Sequence, residues 1–267
     1  HGDIRDRAAL ADAMAGHDAI IHLAADTRVM DSITDPSFNF DNNVAATFQL
    51  LELAREQGVR RVINASTGGA ILGEAPSPVH ENMPARPLSP YGAAKLAVEG
   101  YMNAFGACYG LQTCSLRFSN IYGPRSYHKG SVVAYFIRRL LAGQGLTVYG
   151  DGEQVRDYLY VGDLTTGIRQ ALIQGASGTY QLGTGKPTSL RELIEIIAEV
   201  TGKRPQVTYE PARSGEIHKT YCDISKASRE LGFAPRTDLA QGIRETWRWF
   251  LAQTGPSKTT SDTRARG

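Results

Sequence analysis

The sequence has little sulfur and no long apolar run. Its three cysteines, Cys108, Cys114 and Cys222, form no CxxC pair, and no histidine stands at metal-ligand spacing. Neither a disulfide framework nor a metal site is therefore expected, and a reducing cytoplasm fits the composition. No apolar stretch approaches the roughly 18 residues that a membrane-crossing helix needs, and the opening HGDIRDR has no apolar core of the kind a secretion signal carries. Charge of one sign is also missing: 29 basic against 27 acidic residues leave a net charge of +2, which implies neither a nucleic-acid nor a membrane partner. What remains, at 267 residues and 42% hydrophobic, is ordinary globular composition. The length suffices for one large domain or for a main domain with a smaller lobe.

Between residues 19 and 118 short apolar runs alternate with longer helical patterns, the signature of a parallel sheet with crossover helices. The runs are Ala19 to Ala25, Arg61 to Ser66 and Thr113 to Phe118. Between the first two, Val44, Phe48, Leu51 and Ala54 recur at helical spacing within Asn43 to Gln57, and Gly58 follows where a helix-ending glycine belongs. Ser89-Pro90-Tyr91 opens a second helix through about Tyr109, closed by Gly110. Ser189 and Glu192 have capping-box spacing ahead of Leu193, Ile194, Ile197 and Val200, and Leu239 to Ala252 carries a broad apolar stripe. From about Leu146 glycine and proline punctuate the chain more densely, at GDGEQ, GTGKP and EPARSGE. The expected architecture is α/β. A doubly wound parallel sheet occupies residues 1–145, with some later segments returning to it; a smaller substrate-facing lobe spans 146–253, and a polar, disordered tail follows over 254–267.

Chemistry concentrates around Tyr91-Gly-Ala-Ala-Lys95, which puts a phenol and an ammonium one helical turn apart on one face. A phenol with a reference pKa of about 10 can act as a base near neutrality only if a neighbouring cation favours phenolate. The spacing alone is weak, since 12 tyrosines and 7 lysines in this length give about 0.3 such matches by chance. A solvated lysine beside a surface tyrosine would produce it too. Upstream, Ala65-Ser66-Thr67-Gly68-Gly69 places hydroxyls just after a strand, at the edge where doubly wound sheets bind ligands; a plain turn would use the same residues.

In order and combined, these pieces resemble the extended short-chain dehydrogenase/reductase family, specifically its nucleotide-sugar epimerases and dehydratases. The matching segments run along nearly the whole chain: GDIRD (Gly2 to Asp6), HLAA (His22 to Ala25), DNNVAAT (Asp41 to Thr47), STGGA (Ser66 to Ala70) and YGAAK. They continue through RFSNIYGPR (Arg117 to Arg125), VYGDGEQVRDYLYVGDL (Val148 to Leu164) and ARSGEIHKTYCDISKA (Ala212 to Ala227). The resemblance implies a Rossmann-like fold with NAD as cofactor. It makes Tyr91 the general base, Lys95 the group that lowers its pKa and holds the nicotinamide ribose, and Thr67 the hydroxyl that bonds the sugar's reacting oxygen, with Ser66 as the alternative hydroxyl. Asp3 and Ile4 match the pair that meets adenine; Leu23, Ala24, Ala25, Asn43, Ala65 and Phe118 match other cofactor positions, where core packing is the competing role. Arg156 and Arg213 match the arginines that clamp the nucleotide diphosphate, a task suited to a bidentate guanidinium. Asn120, Tyr158 and Glu216 match diphosphate and ribose contacts, and Ser131, Val132 and Tyr149 sit where the family holds the nucleoside.

Family dehydratases and decarboxylases usually place an acidic side chain just after the threonine, whereas Gly68-Gly69 stand there in this chain. Elimination of water needs a positioned acid or base, so the glycines point to C4 epimerisation of a UDP-hexose through a 4-keto intermediate. A dehydratase or decarboxylase is the alternative enzyme. Thr220 occupies a position where a large residue would narrow the sugar pocket, so UDP-N-acetylhexosamines are candidate substrates beside UDP-glucose. A homodimer through the helices of Asn43 to Gln57 and Ser89 to Tyr109 is implied by the resemblance.

The family begins with a strand, a glycine-rich turn and a helix whose N-terminus binds pyrophosphate. No GxxGxxG occurs in this sequence, which opens at GDIRD. The expectation is an N-terminally truncated fold, a fragment of a larger enzyme; a non-catalytic nucleotide-sugar binder and a chain completed by a partner are the alternatives.

Overall fold

A computed structural model describes residues 1–212 and 217–254. Strands joined by helices must run parallel, because the crossover returns the chain to the same end of the sheet. Here β1 (Ala19–His22), β2 (Arg61–Thr67), β3 (Gln112–Phe118) and β8 (Gly178–Leu182) lie in that order, all parallel. The register sets His22 beside Asn64, Ser66 beside Arg117, and Thr67 beside Phe118. β1 is shorter than its apolar run: Leu23 to Ala25 leave the ladder, and Leu23 is 54% exposed. β1 is the edge strand of this sheet, and no glycine-rich strand–turn–helix unit flanks it among the described residues.

Successive side chains of a strand point to opposite faces, and each face is covered. On one, Val62 packs with Leu50, Leu51 and Leu53 of α4 (Ala46–Glu56) and with Val98, Met102 and Phe105 of α6 (Pro90–Tyr109). On the other, Ile63, Cys114 and Leu116 pack with Leu164 and Ile168 of α8 (Val161–Ile173) and Leu231 of α10 (Ser225–Leu231). This is the expected doubly wound arrangement. Local chemistry sets the helix ends. α1 (Arg7–Met14) starts where the Asp6 carboxylate accepts from the N–H of Ala8 and Ala9; α6 starts where Ser89 Oγ accepts from Gly92 N at 3.2 Å, and ends at Gly110 with φ 71°.

The helix expected from Asn43 starts differently. After the short α2 (Val29–Thr34) and α3 (Pro36–Phe40), residues Asp41–Ala45 form a π-helical turn before α4, a widening found disproportionately at functional sites. α5 (Gly69–Leu72) is a single turn between β2 and the loop to α6.

The smaller lobe gathers α7 (Val132–Leu141), β5 (Leu146–Tyr149), α9 (Leu190–Thr201) and α11 (Leu239–Thr254) around Phe136, Ile137, Leu193, Ile197, Ile243 and Phe250. α7 packs here although it precedes residue 145, while α8 and β8 follow 145 and return to the main sheet. Three small pairings brace the lobe: β10 (Val207–Glu210) parallel to β5, β4 (Asn120–Tyr122) parallel to β7 (Tyr158–Tyr160), and β6 (Val155–Arg156) antiparallel to β9 (Thr188–Ser189). Among the described residues no helix is long and apolar enough to cross a membrane.

Candidate active site

The C-terminal ends of β2 and β3, the first turns of α6 and the β4–β7 flank surround two adjoining cavities of about 970 and about 440 Å³. Thr67, Tyr91, Phe118, Asn120 and Arg156 line both. The larger cavity runs from Ala25 and Ser66 to Ser131, Val132 and Tyr158. The smaller one is closed by Gly69, Thr220 and Cys222 and walled by Met30, Ile33 and Leu88. Eleven residues singled out from the sequence thus meet along one cleft.

Three more stand directly behind its wall. Lys95, 5% exposed, donates from Nζ to the Ala65 carbonyl at 2.9 Å. The Asn43 side chain accepts from Asp26 N at 2.9 Å and donates to Asp26 O at 2.8 Å, fixing the loop after β1. Other candidates lie elsewhere. Leu23 and Ala24 are exposed and line neither cavity. Asp3 and Ile4 precede α1, where hydrogen bonds from Arg5 hold the exposed Asp3 carboxyl at about 2. Tyr149, on β5, also lines neither cavity. Arg213 and Glu216, like the tail after 254, fall outside the described residues.

The two hydroxyls at the end of β2 differ in their partners. Ser66 lines the larger cavity but its Oγ donates to Glu99 Oε1 at 2.6 Å, toward α6, whereas Thr67 borders both cavities. Burial, with the Asp26 carboxylate adding to it, pushes the Tyr91 phenol up to about 12. Lys95 is drawn down to about 8 by burial, opposed by Glu99, and its ammonium is directed to the Ala65 carbonyl.

Two buried acids went unnoticed in the sequence. Asp157, 2% exposed, accepts from Thr184 N and Oγ1 at 2.8 and 2.7 Å, from Gly185 N at 3.0 Å and from Cys222 N at 3.2 Å. It ties three loops together between Arg156 and Tyr158, and a lone carboxylate within the apolar VRDYLY run was the available signal. Glu99 is the second, paired with Arg117.

Buried His22 carries a pH consequence. Thr47 Oγ1 donates to the Asn43 carbonyl at 2.7 Å, so His22 Nε2, 2.9 Å away, is assigned the proton and donates to Thr47. Burial first, then the charge of Lys95, holds His22 down to about 4 from a usual 6.5. Between those values the unfolded chain binds the extra proton, so stability from this group is complete above 6.5 and is lost as pH falls through 4. The loss amounts to about 3 kcal/mol. A His22→Gln variant should show a flatter decline of its urea midpoint from pH 7 to 4.5 than the parent; parallel declines would refute the assignment.

A buried tyrosine and lysine one turn apart stand with a threonine hydroxyl at the carboxyl edge of a parallel sheet of the Rossmann class. The sequence pattern of the family described as GDP-mannose 4,6 dehydratase matches residues 1–246, and the chain belongs to this NAD-dependent epimerase/dehydratase family. A putative UDP-glucose 4-epimerase of Methanocaldococcus jannaschii is 39% identical over 236 residues, covering 87% of this chain and 77% of that protein. The UDP-glucose 4-epimerase of Thermotoga maritima, solved with UDP-glucose, superposes with a TM-score of 0.91 at 35% identity over 94% of this chain and 84% of that one. The UDP-glucose 4-epimerase of Thermus thermophilus, solved with NAD, gives 0.88 at 38% identity over 94% and 83%.

Proposed function

We propose that this chain catalyses C4 epimerisation of a UDP-hexose or UDP-N-acetylhexosamine with NAD as cofactor. The observation that carries the reading is the pair of glycines behind Thr67. A Cβ on Gly68 would lie 2.6 Å from Gln181 Oε1, whose side-chain end would have to move, and one on Gly69 would sit in ordinary contact 3.6 Å from Thr220; as glycines, neither places a carboxylate behind Thr67. No carboxylate therefore stands next to Thr67, and Asp157, the carboxylate that lines the smaller cavity, is engaged by Thr184, Gly185 and Cys222, which supports simple oxidation and re-reduction over elimination of water.

The residues fit a dinucleotide on their ribose side. Lys95 carries three N–H donors, and its one hydrogen bond among the described residues goes to Ala65. Two donors remain for ribose hydroxyls, in a cavity that continues past Ala25 and Phe118. Bound NAD would supply the hydride acceptor and donor together with a positive charge. Tyr91 would act as phenolate, a form that the Lys95 ammonium and the cofactor's positive charge favour against the burial that raises its pKa. Its Oη would take the proton of the C4 hydroxyl, oriented by Thr67 Oγ1, and the resulting phenol would return that proton to the sugar oxygen after the 4-keto sugar has rotated. Arg156 and Asn120, at the junction of the two cavities, would hold the diphosphate and leave the sugar free to rotate in the smaller one. Pairing of two copies through α4 and α6 belongs to this reading, supported by Tyr101 and Tyr109, which are 42% and 53% exposed on α6.

The test is turnover of UDP-glucose and of UDP-N-acetylglucosamine by the purified protein with NAD, followed by mass and by NMR of the sugar. Products of unchanged mass with inverted C4 are expected from both. A product lighter by one water would replace the reading with a dehydratase, and ligand binding without turnover would replace it with a binding protein.

A further inference from the structure

Beneath the cleft lies a buried acid–base pair, Glu99 and Arg117, that touches neither cavity. Glu99 and Arg117 are 4% and 5% exposed. Arg117 Nη2 donates to Glu99 Oε2 at 2.7 Å and Nε to Oε1 at 2.9 Å, and Ser66 Oγ donates to the same Oε1 at 2.6 Å. Three elements are joined in this way: Glu99 projects from α6 one turn after Lys95, while Ser66 and Arg117 are register partners on β2 and β3. A buried pair of this kind is weak evidence for stability, because desolvation consumes most of its attraction. Its position asks for another role.

We propose that Glu99 and Arg117 are positioning residues for the site: Glu99 sets a negative charge beside the neighbouring Lys95 and hooks Ser66 at the end of β2, and Arg117 holds the Glu99 carboxylate in place through its paired hydrogen bonds. The inference rests on the acid–base roles given above to Tyr91, Lys95 and Thr67. Burial alone disfavours the Lys95 ammonium, and Glu99 is the group whose charge opposes that effect. The other titratable groups around α6 do not replace it. His22 on β1 is neutral near pH 7, Asp26 acts on Tyr91, Asp31 on α2 is bound to Arg28, and Glu52 and Glu56 on α4 are bound to Arg7 at the surface. Arg117 Nη1 has no hydrogen-bond partner, so loss of the Glu99 charge would leave an uncompensated cation under the lysine.

A role in packing and a role in charge predict different things. Glu99→Gln removes the anion and exposes the site to Arg117, so Lys95 should lose its proton at lower pH; Arg117→Gln leaves the anion unpaired, so Lys95 should keep its proton to higher pH. Each displacement should be about one pH unit or more. Lys95 is observed directly by NMR of ¹³Cε-labelled lysine, its signal among the 7 lysines assigned with Lys95→Gln. This readout needs no turnover, so a protein that fails to epimerise would overturn the functional reading and leave this result standing. Opposite displacements in the two variants support the proposal, with the limb of the kcat/KM pH profile assigned to Lys95 moving in the same two directions. Equal, absent or same-sign displacements overturn it, whatever the variants do to Tm. Should either glutamine variant fail to fold, Arg117→Lys and Glu99→Asp retain both charges: the first should leave the Lys95 midpoint in place and the second should lower it only slightly, and a rise in either overturns the proposal.

Discussion

Replacing Tyr91 with phenylalanine should lower kcat for UDP-glucose epimerisation by a factor on the order of 10² to 10⁴, the range for loss of a positioned acid–base group, while leaving Tm nearly unchanged. The combination follows from where the phenol sits. Tyr91 is buried at 8% exposure in the first turn of α6, and its backbone N–H, not its hydroxyl, makes the local hydrogen bond, to Ser32 Oγ at 3.2 Å. The hydroxyl has no partner among the described residues, so folding gains nothing from it. Burial already holds the phenol protonated up to about 12, and phenylalanine removes a desolvated polar atom without opening a cavity. KM should change little, because Arg156 and Asn120, proposed above to hold the diphosphate, are left untouched. Stopped activity with an intact thermal transition and intact UDP-sugar binding is the expected result. Residual turnover within tenfold of the parent would remove Tyr91 from the proton-transfer step.

Gly92→Ala should be nearly as damaging by a different route. The small residue inside Tyr91-Gly-Ala-Ala-Lys95 is set by close approach of two backbones. A methyl on Gly92 would collide with the Ala70 carbonyl oxygen of α5, with the carbonyl carbon at 2.9 Å and Pro87 Cβ at 3.0 Å. Neither α5 nor the Pro87 turn can swing aside as a long side chain would, so the start of α6 must move away from α5. Overpacking of this kind costs about 1–3 kcal/mol, and a displacement of roughly 1 Å at a reacting group can cost about 10²-fold in rate. Both Tm and kcat should therefore fall in Gly92→Ala, unlike in Tyr91→Phe. An alanine variant with parental Tm and rate would show that the α5–α6 contact relaxes freely.

These two variants mark how far local sequence reaches. The spacing of Tyr91 and Lys95 gave the face of the helix, and Ser89, Pro90 and Gly110 gave its ends, because caps and periodicity act over a few residues. The same logic located β2, β3 and the amphipathic α9 and α11 with errors of one or two residues. Local logic was weaker where the backbone departs from the regular menu. The π-helical turn at Asp41–Ala45 has the apolar periodicity of the α-helix that follows it, and only the clamp of Asn43 on Asp26 distinguishes it. Of the cofactor positions implied by the resemblance, Ala25 and Phe118 line the cleft, while Leu23 and Ala24 are exposed after the edge strand β1.

By itself the sequence determined the alternation of strands and helices, the two-faced burial of β2 and β3, and the chemical inventory at the end of β2 and the start of α6. Those features depend on the period of apolar residues and on side-chain types at fixed offsets, which a linear sequence displays. Only the tertiary structure decided that Glu99 engages the Ser66 hydroxyl, that burial raises the Tyr91 phenol, and that Glu99, Arg117 and Ser66 meet beneath the cleft. Each of those outcomes turns on desolvation and on contacts between groups far apart in the chain, and neither quantity exists until α6 is laid across β2 and β3.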